Sequence, residues 1–166
     1  VFYIISLISL YALLTYFEFN RNSVVEPSSL ENLGIPILAT LPSVKKIDKG
    51  YHLSQIFIED VNSEFSESIR TLRTLLIAQF KKKKTLLLTS TYSGEGKTTI
   101  ALNTALAFSK IGKVLLIETD IRRPSVLNLL SKEETKRKGF SDLIQDEVEF
   151  SKTILAIPGS EIDLMT

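Results

Sequence analysis

The 166 residues leave room for about one domain and an appendage, since a domain ordinarily holds roughly 100–200 residues. Hydrophobic residues at 44% and charged residues at 23% lie near the globular average and exclude a chain that is disordered or collagen-like throughout. With 20 Lys and Arg against 19 Asp and Glu the charge is +1, so no bulk field draws nucleic acid; the absence of Cys excludes disulfides, thiolate metal sites and Cys nucleophiles, and the single His argues against a His-centred triad. The one Met is Met165, so the chain is expected to be a fragment or a processed product.

Residues 1–17 (VFYIISLISLYALLTYF) carry no charge, and Ser6, Ser9 and Thr15 interrupt the apolar run. As a helix rising ~1.5 Å per residue this stretch reaches ~25 Å, close to the ~30 Å of a bilayer core. Tyr16 and Phe17, followed by Glu18, Asn20 and Arg21, have the order of an aromatic belt giving way to water. A transmembrane helix over 1–19 is therefore expected. A buried core helix or a signal-peptide h-region is the alternative, but neither a basic flank before the run nor a small-residue cleavage site after it is visible.

Residues 20–58 read as a juxtamembrane linker, polar and turn-rich over 20–50, with a short helix near 29–33 and a short strand near 37–41. Residues 59–166 read as the folded domain. Its first element is an amphipathic helix over 60–80: Val61, Phe65, Ile69, Leu72, Leu76 and Phe80 recur at helical spacing, with Asp60 placed to cap the start. Lys81 to Lys84 read as a solvated loop. Strand, loop, helix and strand then follow over 85–89, 90–96, 97–110 and 113–118, the two strands being continuous apolar runs of the kind covered on both faces in a parallel sheet. This is a βαβ pattern. Two short helices at 125–130 and 141–145 and a strand at 162–165 complete the elements. The fold class is α/β, a P-loop, doubly wound and mostly parallel sheet, incomplete within this chain and preceded by the transmembrane helix.

The loop Ser93-Gly94-Glu95-Gly96-Lys97-Thr98-Thr99 lies where a strand should end and a helix begin, the place where free N–H groups and the helix dipole bind an anion. Gly94 and Gly96 let the backbone curl around phosphate, Lys97 can reach the β- and γ-phosphates, and Thr98 offers a hydroxyl to Mg²⁺. Thr91 occupies the position of the first glycine in the general G-x-x-x-x-G-K-[ST] pattern. A dinucleotide fingerprint fails, because Gly94-Glu95-Gly96 is followed by Lys97, Thr98 and Thr99, and Thr99 stands where the third glycine of G-x-G-x-x-G would fall. No H-R-D or D-F-G string of a eukaryotic kinase occurs. The strand 113–118 runs into Glu118-Thr119-Asp120-Ile121-Arg122-Arg123-Pro124, so Glu118 and Asp120 are expected at the carboxyl edge of the sheet beside Lys97 and Thr98, holding Mg²⁺ and serving phosphoryl transfer. Arg122 and Arg123 read equally well as ligands or as solvated loop residues.

These segments resemble the bacterial protein-tyrosine kinases of polysaccharide synthesis and export, relatives of the MinD/ParA-type P-loop ATPases. T-S-T-Y-S-G-E-G-K-T-T (89–99) is similar to that family's Walker A, and V-L-L-I-E-T-D-I-R-R-P (114–124) to its Walker A′. Glu67, Arg70 and Arg73 match an E-x-x-R-x-x-R motif that assembles kinase domains into rings in the family; on spacing alone they form an ion-pairing stripe on one helix face. The linker ending G-I-P-I-L-A-T-L-P (34–42) resembles the junction of members fused to a polysaccharide copolymerase module.

The resemblance implies an ATP- and Mg²⁺-dependent protein-tyrosine autokinase acting on exopolysaccharide or capsule assembly. It implies nucleotide contacts from Ser93 to Thr99, catalytic roles for Lys97, Asp120 and Glu118, and metal contacts from Thr98, Asp120 and Glu118. It further implies a homo-oligomer through Glu67, Arg70 and Arg73, a polysaccharide-machinery partner, and a plasma-membrane location with the kinase domain in the cytoplasm. Glu118 stands where the family has Asp, Tyr92 stands where the MinD/ParA group has its signature lysine, and no acid-ended Walker B strand or tyrosine cluster lies within the chain. The alternatives are a non-catalytic ATP-binding chain-length regulator and a membrane-tethered ATPase of the partitioning type.

Overall fold

The computed structural model describes residues 2–19, 30, 32–44, 56–80, 84–130, 138–145 and 147–166. The chain divides into two compact units, Val1–Ile37 and Leu38–Thr166.

The first unit holds helix α1 (Phe2–Phe19). Two of its hydroxyls turn back onto its own carbonyls: Ser9 Oγ donates to Ser6 O, and Thr15 Oγ1 to Tyr11 O and Ala12 O, each at 3.0 Å. This is the usual way for a serine or threonine inside a helix to satisfy its hydrogen without water. The side chains from Tyr3 to Phe17 are exposed around the helix. The expected transmembrane span is nevertheless not met, since no helix among the described residues is long and apolar enough to cross a membrane. The short helix near 29–33 falls mostly outside the described residues; the described part is a turn closed by Leu33 N–H and Ile35 N–H donating to Leu30 O.

The second unit runs α2 (Ile56–Glu59), α3 (Glu64–Phe80), α4 (Lys97–Ser109), β1 (Val114–Ile117), α5 (Val126–Leu130), α6 (Phe140–Ile144), α7 (Phe150–Thr153), β2 (Leu155–Ala156) and β3 (Ile162–Met165). Its core joins α2, α3, α4 and the sheet through Ile56, Phe57, Phe65, Ile69, Leu102, Leu106 and Ile162, with Leu41, Val44, Val114 and Leu116 packed against them. Burying a side chain of this size stabilises by roughly 1.5–3 kcal/mol. Residues 38–44 and α2, which the sequence places in the linker, thus contribute to the core of the nucleotide-loop unit.

The stripe read for α3 holds at Phe65, Ile69, Leu72 and Leu76, all buried, but the helix starts at Glu64 and Asp60 is not its side-chain cap. Ser63 Oγ instead accepts the N–H of Ser66 at 3.2 Å, while the main-chain oxygen of Asp60 accepts the hydroxyls of Ser63 and Ser66. Between helices, the fully buried Asn103 on α4 accepts the N–H of Phe57 at 2.9 Å, satisfying a donor at the free N-terminus of α2.

The sheet has the order β1-β3-β2. β1 and β3 are parallel, from Val114 opposite Ile162 to Ile117 opposite Met165, whereas β2 pairs antiparallel with β3. The mostly parallel expectation is therefore corrected to a mixed sheet. The reason lies in residues 157–161: Ile157 N–H donates to Ile162 O at 2.9 Å and Gly159 takes a positive φ of 75°, so a tight turn returns the chain alongside itself, and a short connection can only produce an antiparallel pair. Nor is β1 covered on both faces, for Leu115 and Ile117 are each 42% exposed.

Two predicted strands do not form. Residues 37–41 and residues 85–89 belong to no strand, and Leu87 is 79% exposed. An apolar run becomes a strand only when another backbone takes its N–H and C=O groups, and no described residue pairs with this one. The βαβ unit thus lacks its first strand, and α4 leads into β1, which pairs with β3.

Candidate phosphate-binding site

The loop ahead of α4 is shaped by its glycines and one carboxylate. Gly94 and Gly96 have φ of 88° and 86°, in the left-handed region that favours glycine, and Gly96 is the residue from which α4 starts. Glu95, expected as a nucleotide contact, folds back on the loop, its Oε2 accepting the N–H groups of Thr91 at 3.0 Å and Tyr92 at 3.1 Å. Ser93 and Gly94 are exposed at the tip of the loop, and Thr99 gives its main-chain oxygen to Asn103 Nδ2 at 2.8 Å. The first N–H groups of the 13-residue α4 and the dipole behind them make this a place for anionic oxygen.

Lys97, the first residue of α4, reaches Asp120 beyond the end of β1, with Nζ 3.5 Å from Oδ2. Asp120 Oδ1 accepts the main-chain N–H of Arg123 at 3.2 Å. That bond, ahead of the charge of Lys97, holds the Asp120 carboxyl below its ordinary value of 3.8 against the opposing effect of desolvation. The expected meeting of P-loop lysine and second acidic residue is therefore present. Arg122 and Arg123 are exposed, and the latter serves the site through its main chain.

Glu118 departs from expectation. It is 8% exposed, and its carboxylate accepts the N–H of Ser125 at 2.6 Å and of Val126 at 3.1 and 3.2 Å, capping the start of α5. Thr98 does not meet a carboxylate directly; its Oγ1 lies 3.1 Å from Ser125 Oγ. Sequence reasoning read Ser125 only as a helix start. The signal that could have singled it out is its position directly after Pro124, on the first turn beyond the acidic motif, where the chain must bend back toward the loop.

Glu67, Arg70 and Arg73 do share a face of α3, but their arginines bond within the chain. Arg70 pairs with Glu67, donates to Val61 O at 2.7 Å and lies 5.4 Å over the ring of Phe57; Arg73 donates to Ala107 O at 2.9 Å, tying α3 to α4. Glu67 is 66% exposed.

The donor set suits a nucleotide with a hard divalent cation. Lys97 offers a positive charge for phosphate, and Thr98 and Asp120 offer a hydroxyl and a carboxylate oxygen. Among the described residues no group of three His, Cys, Asp or Glu forms an all-protein metal cage. Magnesium held by few protein oxygens and by phosphates needs none.

No family model matches the sequence. The chain is similar to the tyrosine-protein kinase YwqD of Bacillus subtilis, 33% identical over 104 residues that cover 61% of this chain and 43% of the relative. Its fold is similar to the kinase domain of the Escherichia coli tyrosine kinase ETK, with TM-score 0.74 and 27% identity over 87% of this chain and 60% of that one. The chimerical protein CapA2B2 superposes with TM-score 0.67 and 26% identity over 86% of this chain and 59% of that one. The chain thus spans less than two thirds of each. YwqD and ETK, two of the proteins that the chain resembles, are bacterial tyrosine kinases.

Proposed function

We propose that this chain is the ATP-binding part of a protein-tyrosine kinase that regulates exopolysaccharide or capsule synthesis at the bacterial plasma membrane, transferring phosphate from ATP to protein tyrosine. The observation that carries the reading is the approach of Lys97, on the first turn of α4, to Asp120 beyond the end of β1, with two left-handed glycines immediately before the helix. Similarity to YwqD and to the ETK kinase domain supports it. Bound ATP with Mg²⁺ supplies the phosphoryl group and neutralises charge that develops on it. On this chain, Gly94 and Gly96 curve the loop so that main-chain N–H groups face phosphate. Lys97, which pairs with Asp120, would meet phosphate oxygen, and Thr98 and Asp120 would hold the metal through their oxygens. Lys97→Met should abolish ATP binding and phosphotyrosine formation while the far-ultraviolet circular dichroism stays that of a folded protein. Unchanged ATP affinity in the folded variant rejects the site.

Self-association through the face of α3 that carries Glu67, Arg70 and Arg73 belongs to the same proposal, with the exposed Glu67 as its outward charge. So does membrane association of α1, whose internally bonded hydroxyls and all-round apolar surface support it, with the second unit in the cytoplasm where ATP is found. Sedimentation of wild type beside Glu67→Lys tests the first, and protease access to the second unit in intact cells tests the second. Identical oligomer distributions, or digestion from outside, reject them in turn.

The engagement of Glu118 by main-chain N–H groups favours one further reading, an ATP-binding chain-length regulator that transfers no phosphate. Retained ATP binding without phosphotyrosine in the wild-type protein selects it.

A further inference from the structure

A chain of hydrogen-bonding groups runs from the phosphate loop into the fold beneath it. Thr98 Oγ1 lies 3.1 Å from Ser125 Oγ, and Ser125 Oγ donates to Glu118 Oε1 at 3.3 Å. Glu118 is more than nine-tenths buried and is held in place by the N–H groups of Ser125 and Val126. A carboxylate accepts and does not donate, so the single hydrogen of the Ser125 hydroxyl is directed to Glu118, and the oxygen of Ser125 then faces Thr98 as an acceptor. The hydroxyl hydrogen of Thr98 is thereby committed to Ser125. Its oxygen keeps its lone pairs, which are what a hard cation takes. The extra methylene of Glu relative to Asp has a use in this arrangement, for it carries the carboxylate from the end of β1 to the first N–H groups of α5; an aspartate would end one methylene short.

We propose that Ser125, backed by Glu118, is a positioning residue that orients the Thr98 hydroxyl, fixing its hydrogen away from the cation of a Mg²⁺-nucleotide so that Thr98 binds the metal through a lone pair. The inference rests on the nucleotide site proposed above and goes beyond it by naming what prepares Thr98. Groups that orient a metal ligand from behind are commonly worth 10–100-fold in metal affinity.

The test is calorimetric titration of ADP into the full chain, in EDTA and in saturating Mg²⁺, for wild type and three variants at one position. Mg²⁺ is expected to tighten ADP binding in wild type. In Ser125→Ala that tightening should fall by about tenfold or more, with the affinity in EDTA unchanged. Ser125→Thr should restore the metal effect and Ser125→Val should not; these two match in volume and differ in the hydroxyl, so the comparison stands even where alanine disturbs folding. An equal loss in EDTA and in Mg²⁺ marks a structural role and overturns the inference, as does a threonine variant no better than the valine one. Wild type that binds ADP equally well with and without Mg²⁺ overturns it while leaving the nucleotide site intact. Wild type that binds no ADP removes both.

Discussion

Glu118 and Asp120 leave the same end of β1 two residues apart, and they lead different lives. Asp120 keeps 43% of its side-chain surface in solvent, faces Lys97 at 3.5 Å and takes one main-chain N–H. Glu118 lies under the chain and bonds to two main-chain N–H groups and one hydroxyl at the start of α5. A carboxylate that meets a mobile ammonium in water remains available to a ligand. One that satisfies several N–H donors in a buried place is committed to the fold, because releasing it leaves those donors unsatisfied. Residue type and spacing alone do not separate these roles.

The sharpest way to break the contrast is to remove each carboxylate in turn. Asp120→Ala should lower Mg²⁺-dependent nucleotide affinity by about tenfold or more, measured by calorimetry, and move the urea midpoint less than the change at Glu118 does. A shifted midpoint with intact binding reverses the assignment. Glu118→Ala should act mainly on the fold, costing about 2 kcal/mol in urea denaturation, the expected scale for stranding buried N–H donors and losing a helix cap. No loss of stability means that the buried contacts are not made in solution.

The smallest effect is in titration. Asp120 is held below 3.8 in the folded chain, so its contribution to stability is full above that value and is lost as pH falls through the lower folded-state value. A carboxyl ¹³C titration should place its midpoint below 3.8, and Lys97→Met should move it upward. A midpoint at or above 3.8 in wild type contradicts the bond from Arg123.

A second pair of regions shows why some elements were legible and others were not. Residues 85–89 and 114–117 are near-identical apolar runs, and both read as strands from sequence. Only the second pairs, because β3 lies alongside it with matching register. The helices fared better, since α3 and α4 close their hydrogen bonds internally and advertise a buried face through the spacing of Phe65, Ile69, Leu72 and Leu76. The start of α3 was displaced from Asp60 to Ser63, because capping depends on which side chain the entering chain brings within reach of a free N–H.

The sequence by itself determined the loop from Gly94 to Thr98, the helix behind it and the strand leading to Asp120. Each of these follows from local rules, glycine where φ is positive and chemistry at a helix start and a strand end. The tertiary structure alone decided that the sheet is mixed, that Arg73 reaches Ala107 across two helices, that Asn103 holds α2, and that Glu118 turns inward to Ser125. Those outcomes depend on which distant donors and acceptors packing brings within about 3 Å, a distance set by the whole chain and absent from any window of sequence.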